Sequence, residues 1–196
     1  MPRQNLSPAS VLAAAADLAD RIGYDGVTVS ALARELGVQP ASLYAHVRDR
    51  AALLEGVHQV ALGELADGIA AGIAGRSGRA ALAGLIDAHR TYARERPGRW
   101  TALQRPATPE TAQSEPAARV AALMMAVFRG YNALPEVELV HATRLVGATV
   151  NGFVALEAAG SFDHRDITTE LSWTRALDVL DAALRAWPTA DMEASA

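Results

Sequence analysis

VTVSALARELGVQPASLYAHVRDRAALL, residues 27–54, is the stretch from which the fold is read. Thr28 offers a side-chain oxygen to the partnerless N–H groups of a helix start. Val29, Leu32, Ala33 and Leu36 then share one helical face. Gly37 follows at once, where a left-handed cap favours glycine. Pro40 stands at the first position of a second helix, which its fixed φ suits. Leu43 and Val47 pin that second helix to the first. Its outward side keeps Gln39, Ala41, Ser42, Tyr44, Ala45 and His46, a small and mostly uncharged face with hydrogen-bonding tips. Two short helices joined by a tight turn, the second carrying such a face, form the helix-turn-helix shape that enters a major groove.

Working outward, Ser7-Pro8 is a cap followed by a first-turn proline. Val11, Leu12, Ala15, Leu18, Ala19 and Ile22 repeat at helical spacing as far as Gly23, so residues 7–47 are expected to form three helices. Residues 1–6 read as a loose arm in which Arg3 has a phosphate within reach. Asp49 is placed to cap a long fourth helix with an apolar stripe from Leu53 to Ile69. GIAGRSG, residues 72–78, reads as a linker; it lacks the spacing and the lysine of a phosphate-binding loop. Further helices are expected over 79–96, 99–104, 116–133, 136–159 and 166–187. RPATPETAQSE, residues 105–115, reads as a mobile loop, and the tail beyond Pro188 as disordered. The expected fold class is all-α with about nine helices, divided into a domain over 1–48 and a larger one over 49–196.

Composition limits what these helices do. With 196 residues, 51% of them apolar, the chain is long enough to bury a sizeable core. No cysteine is present, which removes disulfides, thiolate nucleophiles and Cys-based metal sites. No histidine pair has metal-ligand spacing and no Gly-x-Ser-x-Gly elbow occurs. No cofactor, metal or catalytic residue is therefore expected. The longest uncharged apolar run, Val120–Phe128, is about half of a membrane span, and the N-terminus lacks a secretory pattern. These features lead to the expectation of a soluble, cytoplasmic protein without a membrane partner.

All 18 basic residues are arginine and the net charge is −4. Residues 1–55 carry five arginines against six acids, a balance of −1. Charge alone thus gives no indication of nucleic acid. The helix-turn-helix reading stands because phosphate contacts can be few and local, backbone N–H groups at helix starts among them.

LGVQPASLYAHVRDRAALL, residues 36–54, resembles the DNA-binding signature of the TetR family of transcriptional regulators. The resemblance covers roughly residues 6–56. YARERPGRWTAL (92–103) and VGATVNGFVALEAAG (146–160) resemble one class of TetR C-terminal domain, whose penultimate helix carries a Trp-His-Gly signature. Here that place reads Val150-Asn151-Gly152, so no ligand role of that histidine carries over. The resemblance implies a DNA-binding domain followed by an effector-binding and dimerisation domain. It implies a homodimer joined through the last two long helices, with a palindromic double-stranded DNA operator as partner. It also implies a repressor released by a small apolar effector.

Thr28, Ser30, Gln39, Ala41, Ser42, Tyr44, Ala45, His46 and Arg50 are the expected DNA contacts. Gln39 and Ser42 suit base edges or phosphates, and Ala41 and Ala45 suit a thymine methyl. His89, Tyr92, Trp100, Gln104, Met124, Phe128, Tyr131, His141 and Asn151 are the expected effector-binding residues, since bulky apolar groups with a few polar tips line ligand pockets. Two other classes stay open at this point, a protein-binding adaptor and a small-molecule-processing enzyme.

Overall fold

The computed structural model describes residues 6–131 and 134–188. Arg3 with most of its arm, and the tail from residue 189, lie outside the described residues. Among those described, the chain forms ten α-helices: α1 (Pro8–Ile22), α2 (Val29–Leu36), α3 (Pro40–Leu43), α4 (Arg50–Ile73), α5 (Gly78–Glu95), α6 (Pro97–Leu103), α7 (Pro109–Ala112), α8 (Glu115–Arg129), α9 (Glu136–Ala158) and α10 (Thr169–Arg185). A 3-10 turn, Tyr24–Gly26, stands between α1 and α2. No strand occurs among the described residues. Two compact units result. The first holds the chain to Gly68 together with Thr91–Val120, and the second holds Ile69–Arg90 and the chain from Ala121.

In the first unit the helix starts follow local chemistry. Ser7 and Ser10 cap α1 reciprocally. The Thr28 hydroxyl accepts from Ala31 N–H at 3.1 Å and starts α2. Gly37, with φ +65°, ends α2 in the left-handed region. The core gathers Val11, Ala15 and Leu18 of α1, Leu32 of α2, Leu43 of α3, and Leu53 and Val57 of α4. Ala102 of α6 belongs to the same core. α6 lies so close to α1 that a Cβ on Gly98 would overlap the Ala19 carbonyl. The short helix after Pro97 is thus built into the core of the helix-turn-helix.

The second unit has its own core, including Leu82, Leu85 and Ile86 of α5, Phe128 of α8, Leu139, Val146 and Val150 of α9, and Leu177, Leu180 and Leu184 of α10. Arg90 of α5 ties it together. Its guanidinium donates to Glu157 of α9 from Nε at 3.0 Å and to Glu170 of α10 from Nη1 at 2.7 Å. It lies 4.8 Å from the Trp173 ring centroid and 5.7 Å from that of Phe153. Trp173 in turn donates its indole N–H to Asp87 at 2.7 Å.

Four expectations are corrected. The second helix of the motif is a single α-turn, Pro40–Leu43, and residues 44–46 continue it only as a hydrogen-bonded turn, with His46 N–H donating to Leu43 O at 2.8 Å. The stretch read as a loop over 105–115 contains α7, because Thr108 caps it through Thr111 N–H. The linker read as 72–78 is shorter. Gly72 is helical, and its bare face meets Gly84 of α5 so closely that neither position admits a Cβ. On α9 the sequence pattern places Val137, Val140, His141, Arg144, Leu145, Ala148, Asn151, Gly152, Ala155 and Leu156 along one broad band. In the structure these are exposed or, for Val140 and Asn151, half-buried, and the inward face is made by Leu139, Ala142, Val146, Val150 and Val154.

Candidate nucleic-acid interface

α3 is held from one side only. Leu43 is fully buried and Val47 nearly so, which plants the inner edge of the turn on the core. Gln39, Ala41, Ser42, Tyr44 and Ala45 are exposed, and His46 is half-buried. Tyr44, 57% exposed, is one of the largest apolar groups on the surface of the first unit. A phenol more than half exposed just after a one-turn helix leaves its O–H for a partner. Ser30 is exposed on the first turn of α2, while Thr28 is half-buried and its hydroxyl serves as the cap.

Arg50 has a more specific position than the sequence disclosed. Its Nε donates to Val27 O and its Nη2 to Asp25 O, both at 2.8 Å. The residue that opens α4 therefore staples the turn that leads into α2. Arg105, after α6, holds the Asp25 carboxylate at 2.8 Å and lies over the Tyr24 ring. Arg48 was not among the expected contacts. Its side chain is 81% exposed next to the recognition face and pairs along the chain with Asp49. Asp49 spends its other oxygen on Ala52 N–H at 2.8 Å and caps α4. That bond, with Arg48, holds the Asp49 carboxyl below the usual range. The signal for Arg48 was available: a cation directly after the recognition turn.

The expected effector residues are spread over both units. In the first, Trp100 is buried, Gln104 is exposed, and Tyr92 is half-buried with its hydroxyl donating to Glu64 at 2.7 Å. Burial, then that carboxylate, push the Tyr92 phenol up. In the second unit Met124 and Phe128 are buried on α8. His89 is buried on α5 and its Nδ1 lies 2.8 Å from Leu85 O. Burial holds His89 below the usual histidine value, against the pull of that carbonyl. Tyr131 is half-buried and donates to Asp181 at 2.7 Å. His141 is exposed and Asn151 half-buried on α9. A half-open cavity of about 170 Å³ in this unit is lined by Ile73, Arg76, Ala81, Val127 and neighbours, none of them an expected effector residue. It is smaller than the pockets that enclose drug-sized ligands.

The outward faces of α9 and α10 carry most of the large exposed apolar groups of the second unit: Val137, Leu145 and Leu156 on α9, and Leu171 and Val179 on α10. α9 is 23 residues long with a mean hydropathy of 1.3, enough by length and composition to cross a membrane. The sequence reading found no such segment, because Arg144 and the flanking acids interrupt every long uncharged run.

Comparison with known proteins gives a consistent result. Residues 11–69 match the family described as bacterial regulatory proteins, tetR family. Residues 82–180 match the family described as tetracyclin repressor-like, C-terminal domain. The chain is 30% identical over 177 residues to the uncharacterized HTH-type transcriptional regulator YobS of Bacillus subtilis (strain 168), covering 88% of this chain and 91% of the relative. Its fold is similar to a TetR variant from Acinetobacter baumannii AYE solved in complex with minocycline, with a TM-score of 0.71 and 26% identity over 95% of this chain and 100% of that one. A protein of unknown function from Rhodococcus sp. RHA1 superposes with a TM-score of 0.78 at 24% identity, covering 94% of this chain and 99% of that one.

Proposed function

Because the chain belongs to the TetR family of transcriptional regulators, which are not enzymes, we propose that it is a homodimeric cytoplasmic repressor released from a palindromic operator by a small, mostly apolar effector. The observation that carries the reading is the one-sided burial of α3. Leu43 and Val47 are spent on the core, and Gln39, Ala41, Ser42, Tyr44 and Ala45 are left to solvent. In the complex these groups meet base edges and phosphates of one major groove, with His46 beside them. Ser30 and Thr28, at the start of α2, meet the flanking phosphate. Arg50 supports the turn and Arg48 supplies a further cation.

The exposed faces of α9 and α10 supply the dimer contact. Apolar groups such as Val137, Leu145, Leu156 and Val179 gain by leaving water, and a second copy presents the same surface. An obligate interface of this kind buries about 2,000 Å² or more. The dimer then offers two recognition turns to half-sites about one helical turn apart. The effector binds through the candidates of the first unit, half-buried Tyr92 and buried Trp100. It favours a dimer that no longer matches the operator, and a coupling of about 1–3 kcal/mol lowers affinity about 5–150-fold.

Selection from random duplexes tests this reading. The full chain is expected to recover a two-fold symmetric sequence and to sediment as a dimer. Tyr44→Ala with His46→Ala is expected to lower affinity for that sequence at least about 100-fold with an unchanged melting curve. Recovery of no duplex, or an unaltered affinity in the double variant, would remove the reading.

A further inference from the structure

In the first unit one buried side-chain donor has no hydrogen-bond acceptor among the described residues, Nε of Arg99. The Arg99 side chain is 5% exposed. Its other two nitrogens are committed to α1, Nη1 to Asp20 and Nη2 to Asp17 at 2.6 Å. Its backbone N–H also donates to Asp20, at 2.9 Å. An acceptor stands nearby: Glu64 Oε2 of α4 is 3.1 Å from Nε. The N–H does not point at it, so the contact is an ion pair without hydrogen-bond geometry. The same Oε2 accepts the Tyr92 hydroxyl of α5 at 2.7 Å. Native interiors rarely leave a buried donor in this state, and such a group calls for an explanation.

We infer that Glu64 is a two-position switch. With Oε2 held by the Tyr92 phenol, it leaves the Arg99 guanidinium to Asp17 and Asp20. When an effector's acceptor oxygen accepts the hydrogen bond of the Tyr92 phenol in place of Glu64, Glu64 turns to Arg99 Nε and draws the guanidinium away from α1. The inference rests on the effector-responsive reading above and names the residues that carry its regulation in the first unit.

Each position leaves one donor to be filled from elsewhere. In the first it is Arg99 Nε–H. In the second it is the Tyr92 O–H, which the effector's oxygen satisfies. The ligand therefore contributes a bond to one state and none to the other, which is the condition for shifting a two-state equilibrium. α1 is the element that receives the change, since Val11, Ala15 and Leu18 belong to the core in which α2 and α3 are seated. Glu64 and Arg99 are positioning residues in this scheme.

The test uses the full chain and the duplex that it selects. Tyr92→Phe removes the hydroxyl, keeps the ring and mimics the switched state. Tyr92→Phe is expected to weaken operator binding at least tenfold. The Arg99 Nε–H proton resonance is expected to move downfield as it gains a carboxylate acceptor. Glu64→Ala deletes both bonds and is expected to bind operator within about threefold of the unaltered chain. Tyr92→Phe added to Glu64→Ala is expected to change affinity less than twofold further. Operator binding by Tyr92→Phe within twofold of the unaltered chain, with the Nε–H resonance unmoved, overturns the switch. Should Tyr92→Phe fail to fold, Glu64→Ala decides, and a tenfold loss there overturns it. If the unaltered chain selects no duplex at all, the repressor reading fails instead, and the Nε–H resonance still tests the switch.

Discussion

Arg90 and Arg99 stand nine residues apart, each with a side chain 5% exposed, and they hold their carboxylates differently. Arg90, in the second unit, donates from all three nitrogens to two glutamates and has aromatic rings close to its guanidinium. Its pKa is driven up, first by the Glu157 hydrogen bond. Arg99, in the first unit, has three carboxylates within reach, yet one nitrogen lacks a hydrogen bond because Tyr92 competes for the third. Burial pulls Arg99 down, while Asp17 and Asp20 outweigh it and raise it overall. A buried guanidinium with every nitrogen engaged behaves as a lock. One with an open donor retains an alternative arrangement.

Arg90→Ala is the strongest challenge to that contrast. It leaves the Glu157 side chain, 17% exposed, without its guanidinium. Unfolding in denaturant is expected to show a loss of about 3–5 kcal/mol, the usual result of removing one partner of a buried pair. A loss below about 1 kcal/mol would mean that Arg90 is not a lock.

A smaller effect, about 1–3 kcal/mol each, is expected from Gly98→Ala and Gly84→Ala, since both add a methyl where a backbone carbonyl already stands. The pair sharpens the comparison through function. Gly98→Ala presses α6 off α1 next to the Arg99–Asp20 bonds and is expected to change operator affinity in a gel-shift titration. Gly84→Ala, at the α4–α5 crossing, is expected to lower stability with operator affinity unchanged.

The mildest perturbation is acid. His58 in the first unit and His89 in the second are both held below the ordinary histidine value, chiefly by burial. The unfolded chain takes up these protons near pH 6.5 and the folded chain does so only lower. Stability from both is therefore complete above about pH 6.5 and falls as the pH drops through the folded values. The slope is at most about 1.4 kcal/mol per pH unit for each group. Urea midpoints measured between pH 7 and pH 5 are expected to decline, and His89→Gln is expected to flatten the decline.

Much of the first unit was readable from neighbouring residues. Ser7, Thr28, Gly37 and Pro40 mark helix ends through chemistry that acts within four residues of chain. The alternation of Leu43 and Val47 with Gln39, Ser42 and Tyr44 sorts the α3 turn into an inner and an outer side. What escaped the reading depends on residues distant in sequence. Gly72 reads as a loop residue until Gly84 is packed against it. Gly98 reads as a breaker beside Pro97 until Ala19 is found behind it. Arg50 reads as a free cation until the carbonyls of Asp25 and Val27 are seen to hold it. On α9, apolar residues occupy more than one face, so periodicity could not tell the side that turns inward from the side left to solvent.

Helix starts, helix stops and the two-sidedness of the recognition turn follow from local capping and from the 3.6-residue repeat, and these act before the chain has folded. The membership of α6 in the first core, the outward face of α9 and the difference between Arg90 and Arg99 came from packing. Each of these depends on which distant carbonyl, carboxylate or ring arrives beside a given side chain, and no local pattern encodes that neighbour.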